Sequence, residues 1–286
     1  MTVPEALSAT YDRWTRRGRP GQIASRWNTE TWTRQLPSYR DFIDGLRTNK
    51  LNRSEAVQKI GRISGEREAT EAFILAMLWG YGPVGYGAFR TRRILDEPEA
   101  SRALLEVATV AQAEGGLAAF ALICERRHHD AGYLKWLGPA FGTKYLYFLT
   151  AAIDPDRATP VMDAVVRRWF SKHVPDQKLI VDTWNEPSYR KFLDCLETWS
   201  DELSSLGRTK VTMDDVEYLI FADGNNFEDN AEWRESWDAE ALELPVSELI
   251  DQLRARVSAN LGDGSEAMSH LDELEQALTL SVPRST

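Results

Sequence analysis

Two residues nineteen positions apart carry the most chemistry in this sequence. Lys144 ends the segment Leu134-Lys135-Trp136-Leu137-Gly138-Pro139-Ala140-Phe141-Gly142-Thr143-Lys144, and Asp163 ends Ala158-Thr159-Pro160-Val161-Met162-Asp163. A lysine amine that has lost its proton is a nucleophile able to form a Schiff base. Burial and a neighbouring cation favour the neutral amine. A carboxylate beside it accepts a proton or stabilises positive charge developing in a transition state. Ahead of the lysine, a Gly/Pro turn leading into a helix exposes backbone N–H groups, and these hold a phosphate without long basic side chains.

The elements that must position this pair are helical. Apolar spacing predicts a strongly buried helix over Glu66–Trp79, a core helix over Leu117–Cys124 and a short helix over Asp130–Leu137 that stops at Gly138-Pro139. Lys144–Ile153 continues the pattern, and Asp163–His173 reads as a half-buried helix with the aspartate at its start. Pro187–Leu206 and Met213–Ala222 follow, the latter capped by Thr212 with Asp214 and Asp215 in its first turn. No run alternates in the manner of a strand, so the fold class is mainly α. From Asp223 the composition turns acidic: 225–240 reads as a linker, and Ser247–Leu261 and Glu266–Leu278 as C-terminal helices. The expected organisation is a body over 1–222, with the hairpin at 130–153 and the aspartate turn at 158–173, and an acidic extension over 223–286.

Net charge is −10, which by itself argues against a polyanionic partner. The charge is unevenly distributed, however. Residues 1–180 hold 26 Lys+Arg against 20 Asp+Glu, giving +6, and residues 181–286 hold 8 against 24, giving −16. Attraction to phosphates follows the local field, so the basic part is free to carry a nucleic-acid face. No apolar run approaches the roughly 18 residues a bilayer requires, and Met-Thr-Val-Pro-Glu lacks a signal-peptide pattern, so a cytoplasmic protein without membrane contact is expected. Two cysteines, Cys124 and Cys195, are too few for a four-cysteine cluster, and no metal spacing is present, so no catalytic metal is expected.

The two linked motifs resemble those of the helix-hairpin-helix DNA glycosylases, in particular the oxoguanine branch, whose Pro-Gly-x-Gly-x-Lys hairpin precedes a catalytic aspartate after a Pro-Val turn. Pro139, Gly142, Lys144 and Asp163 stand in the matching places, and Pro160-Val161 matches with a one-residue shift. The resemblance implies a two-lobed helical glycosylase in which Lys144 attacks the sugar and Asp163 stabilises the cationic transition state. It also implies a hairpin, Gly138 to Thr143, that grips the DNA backbone, compatible with a monovalent cation there but with no other cofactor. Ala140 replaces a hairpin glycine, Phe148 a cysteine and Val165 a histidine of the oxoguanine pattern.

A second segment, Trp79-Gly80-Tyr81-Gly82-Pro83-Val84-Gly85-Tyr86-Gly87-Ala88-Phe89-Arg90-Thr91-Arg92-Arg93, follows the helix after which the resembling enzymes place their gap-filling loop. Tyr81 or Tyr86 would stack in the gap, and Arg90, Arg92 and Arg93 would meet phosphates or the orphaned base. Alternatively, the segment is a turn whose aromatics pack on the core. Trp79, Phe148, Asp214 and Tyr218 complete the candidate base pocket by resemblance, with helix capping as the other role for the aspartates. His128 and His129 read as a solvated helix end, and Trp169, Trp184 and Trp199 as core. The expected partner is duplex DNA containing a modified base, acted on by a monomer. The substrate expected is a bulky phage-type cytosine such as glucosylated hydroxymethylcytosine, since the chain also resembles anti-phage members of the superfamily and its glycine-rich loop would suit a large base. The alternatives are 8-oxoguanine, with strand cleavage through the lysine, a hairpin DNA-binding module without catalysis, or an interaction protein built around the acidic C-terminal part.

Overall fold

The computed structural model describes residues 2–16, 19, 21, 22, 24–207, 209–225, 254, 270 and 271. Residues 1–231 form one compact unit and 232–286 a second. The described part of the first unit is helical: α1 (Glu5–Arg16), α2 (Thr29–Gln35), α3 (Arg40–Gly45), α4 (Arg53–Gln58), α5 (Glu66–Tyr81), α6 (Tyr86–Leu95), α7 (Ala100–Glu114), α8 (Gly116–His129), α9 (Pro139–Ala151), α10 (Ala164–His173), α11 (Glu186–Gly207) and α12 (Met213–Gly224). Two residues each of β1 (Ser25–Arg26) and β2 (Lys50–Leu51) pair antiparallel, Ser25 opposite Leu51.

Helix starts follow local chemistry. Asn52 and Glu55 close a capping box on α4, Thr212 and Asp215 close another on α12, and Asp163 accepts from Val165 and Val166 N–H at the start of α10. Helix α5 is apolar nearly all round, with Phe73, Ile74, Ala76, Met77 and Leu78 wholly buried, because it packs against α6, α7 and α9 at once. Around α12 a second group gathers α1, α10 and α11. The ring of Phe73 meets Tyr145 edge-on at 5.4 Å in the first group, and Phe170 lies 5.4 Å from Trp199 in the second. The junction of the two groups is where Lys144 of α9 meets Asp163.

Several expected boundaries move. The short helix over Asp130–Leu137 is instead a run of turns. Asp130 Oδ1 accepts from Gly132 N–H at 2.8 Å, closing an Asx turn that competes with a helix, and Leu134 and Trp136 take positive φ, 45° and 73°. Consequently the first helix of the hairpin is α8, which runs to His129 rather than stopping at Cys124. Helix α9 begins at Pro139, five residues before Lys144, since proline at the first helical position has no N–H to satisfy. The glycine-rich break after α5 covers only Gly82 to Gly85, where Gly82 ends the helix at φ 56°, and α6 resumes at Tyr86. The expected C-terminal helices, and 226–240 of the linker, lie outside the described residues apart from 254, 270 and 271.

Candidate active site

The Lys144 Nζ donates to Asp163 Oδ2 at 3.1 Å, and the two side chains are 10% and 14% exposed. Both are held from several sides. A Cβ on Gly80 of α5 would lie 2.7 Å from Lys144 Cδ and 3.3 Å from a Phe141 ring carbon, so the lysine stem crosses α5 only because residue 80 has no side chain. The Phe141 ring centroid lies 5.3 Å from Nζ, and Phe141 in turn stacks on Tyr81 at 3.9 Å. Thr143 Oγ1 accepts from Met162 N–H at 3.1 Å, tying α9 to the residue before the aspartate. Asp163 spends Oδ1 on capping α10, at 2.9 Å from Val165 N and 3.3 Å from Val166 N, which leaves Oδ2 for the lysine. Burial opposes the charge on Asp163, but the Lys144 ammonium and the two backbone donors outweigh it and hold the carboxyl below its ordinary range. Such a carboxylate is a better electrostatic partner for a sugar cation than a proton acceptor.

The hairpin is built to present donors. Arg127 donates to the carbonyls of Tyr133 and Leu134 at 3.1 and 3.0 Å, and Trp184 Nε1 donates to that of Leu137 at 2.9 Å. The Trp184 ring also lies where a Cβ on Gly142 would be, 2.2 Å away, so this glycine is required for the hairpin to sit on the indole. Gly138 caps α9 with no side-chain acceptor, leaving the N–H groups of Ala140 and Phe141 as the open helix start. Three loop carbonyls, those of Tyr133, Leu134 and Leu137, thus already accept from a guanidinium or an indole N–H. No cluster of three or more metal-binding side chains occurs among the described residues.

Of the hairpin residues, Gly138 is exposed, Ala140 and Phe141 are half-buried, and Pro139, Gly142 and Thr143 are buried. The Thr143 side chain is turned to the Met162 backbone, so what this stretch offers a phosphate is backbone N–H groups. Tyr81 is committed too: Phe141 covers one side of it, and its ring atoms lie 2.4 to 2.8 Å from a Cβ built on Gly87. Tyr86, 52% exposed, is therefore the better placed of the two to enter a gap. Arg90 lies over the Tyr86 ring at 5.0 Å, and Arg92 is 3.5 Å from Asp96. Arg93 lies 3.4 Å over Trp136. Phe148 is fully buried, edge-on to Trp79 at 5.2 Å, so both belong to the core rather than to an open pocket wall. His128 and His129 end α8 exposed, Trp169 and Trp199 are core, and half-buried Trp184 packs on Phe120.

On α12, Asp214 and Glu217 share one guanidinium, that of buried Arg53 from α4. Arg53 pairs with Asp214 and lies 2.8 Å from Glu217 Oε2, while Tyr147 Oη donates to Asp214 at 2.9 Å. Tyr218 is buried and Asp215 serves the capping box. One cation cannot fully compensate two acids. Burial pushes fully enclosed Glu217 up to about 7, with Arg53 lowering it and Asp214 and Asp163 adding to the rise. Arg53, Tyr147 and Glu217 are site-supporting residues that spacing alone does not single out. Gly80 is visible in the sequence as the first glycine after the apolar run, but its closeness to Lys144 is not.

Residues 18–221 match the family described as "Putative 8-oxoguanine DNA glycosylase OGG-like protein", and the chain belongs to that family. No curated protein and no solved structure matches it. The matched span takes in α2 to α11 and most of α12, and so contains both Lys144 and Asp163. Among the described residues no helix is long and apolar enough to cross a membrane.

Proposed function

We propose that the protein excises an oxidised purine from duplex DNA, with Lys144 as nucleophile and Asp163 as the group that stabilises the sugar cation. The observation carrying this reading is the buried 3.1 Å contact between Nζ and Oδ2 at the meeting of α9 and α10, beside an open helix start. Lys144, once deprotonated, attacks C1′ of the extruded nucleotide. The bond from C1′ to the base breaks, the electron pair leaves with the base, and the base takes up the proton that the amine nitrogen releases on bonding to C1′. Ring opening then gives a Schiff base to Lys144, from which β-elimination cuts the strand. A DNA-binding module without catalysis would not require an amine and a carboxylate in contact in a nearly dry setting.

The family description favours oxidised guanine as the substrate. Glucosylated hydroxymethylcytosine is the second reading, motivated by Phe148 and Val165 where oxoguanine enzymes have cysteine and histidine. Of the glycines that would suit so large a base, Gly80 and Gly87 belong to α5 and α6 and lie against Lys144 and Tyr81, whereas Gly85 in the loop has open space around it. Incubation with duplexes carrying each base, scored for abasic sites and strand breaks, decides between them. Release of neither base would remove both substrates. Borohydride should trap a covalent adduct with the natural chain and none with Lys144→Ala, and an adduct formed by that variant would exclude the proposed nucleophile.

A further inference from the structure

Trp136 is a large apolar side chain left 46% exposed, and it sits on the hairpin loop at φ 73°. A non-glycine residue is costly in that conformation, and an aromatic ring left nearly half exposed recovers only part of that cost through burial. The indole is nonetheless fixed. Its Nε1 donates to Glu97 Oε1 at 3.0 Å, the Arg93 guanidinium stacks 3.4 Å from the ring centroid, and Lys135 Nζ lies 4.8 Å from it. Both cations are exposed, and neither is paired with a carboxylate among the described residues, unlike Arg92 with Asp96 or Arg126 with Glu106. A stacked cation has already given up most of its side-chain freedom, so it meets an anion at a lower entropic cost than a free lysine or arginine.

The platform lies close to the open start of α9. Trp136 precedes Ala140 by four residues, at most about 14 Å of extended chain, or roughly four steps along a DNA strand at about 3.4 Å each. We propose that Arg93 and Lys135, held on Trp136, form a clamp for DNA phosphates next to those gripped by the hairpin N–H groups. Trp136 acts as the support of two cations and does not stack on a base. This inference rests on the protein acting on duplex DNA, and it links the hairpin loop to α6, the helix that Tyr86 begins.

The test is the salt dependence of binding by the full-length chain to an undamaged duplex, read by fluorescence anisotropy. Removing one cation that neutralises a phosphate should reduce the slope of log K against log salt by about 0.9. Arg93→Gln and Lys135→Gln should each reduce it by about that amount, and the double variant by about twice as much. Trp136→Leu should reproduce the double variant, and adding Arg93→Gln to it should change little further. A double variant with the natural slope overturns the clamp while leaving the glycosylase reading intact. Should the natural chain bind DNA with no salt dependence, both the clamp and the DNA-directed reading fail. If Trp136→Leu does not fold, the two glutamine variants, exposed and free of ion pairs, still decide.

Discussion

At the scale of single residues, Asp163 has two duties that substitution can separate. Asp163→Asn keeps an acceptor for the α10 cap but removes the charge facing the sugar. Base release should fall on the order of 10²–10³-fold, the usual effect of deleting one preorganised electrostatic group. Both Asp163→Asn and Asp163→Ala leave the Lys144 ammonium without its counter-charge, but Asp163→Ala also uncaps α10, so it should be less stable than Asp163→Asn by about 0.5–2 kcal/mol. Chemical denaturation beside single-turnover rates checks both, and equal stability of the two variants would refute the second duty. Glu217 gives a signature in pH. Its folded-state value near 7 lies above an unfolded one near 4.5, so the folded chain binds more protons between those limits. Stability contributed by the protonated carboxyl is therefore full below about 4.5 and disappears as pH rises towards 7, by at most about 3 kcal/mol. Melting temperature should fall more steeply across that window for the natural chain than for Glu217→Gln. Parallel profiles would mean that Glu217 stays ionised throughout.

At the scale of elements, the site depends on glycines that let rigid pieces touch. Gly80→Ala gains up to about 1 kcal/mol of helix propensity in α5 and meets Lys144 Cδ at 2.7 Å, so overall stability should change little. The amine, however, must shift from Asp163, and base release should fall at least about 10-fold, because misplacement of a reacting group by about 1 Å costs on the order of 10²-fold. Unchanged single-turnover rates would show that the stem has another route. The same elements explain what is legible in the sequence. Lys144, Asp163 and the helix that the aspartate begins can be read directly, because capping and spacing are local and Pro139, Gly142 and Pro160 punctuate them. Periodicity starts α9 too late because Ala140 to Thr143 look like a loop until Pro139 is recognised as a first helical residue. It also places a helix over Asp130–Leu137 where there is none, because an Asx turn and two left-handed residues leave no trace in apolar spacing. Nor can spacing pair Arg53 with Glu217, 164 positions apart, or set Trp184 beneath Gly142.

At the scale of the whole molecule, the acid in the sequence and the grip on DNA are separable. Residues 232–286 carry 4 Lys+Arg against 12 Asp+Glu, a net −8, so ending the chain at Ala231 changes its net charge from −10 to −2. The residues of the chemistry, the hairpin and the phosphate clamp all lie in the first compact unit, 1–231. A chain ending at Ala231 should therefore release base at the natural single-turnover rate. Like charges repel DNA over about a Debye length, roughly 10 Å at 0.1 M salt, so the shortened chain should also bind more tightly at low salt, an advantage that shrinks as salt rises. The slope set by phosphate contacts should be largely retained, since those contacts remain. Anisotropy titrations of both chains from low to physiological salt, with base release measured alongside, make the comparison. If truncation abolishes base release while DNA binding persists, the acidic part is required by the site, and the function cannot be assigned to residues 1–231 alone.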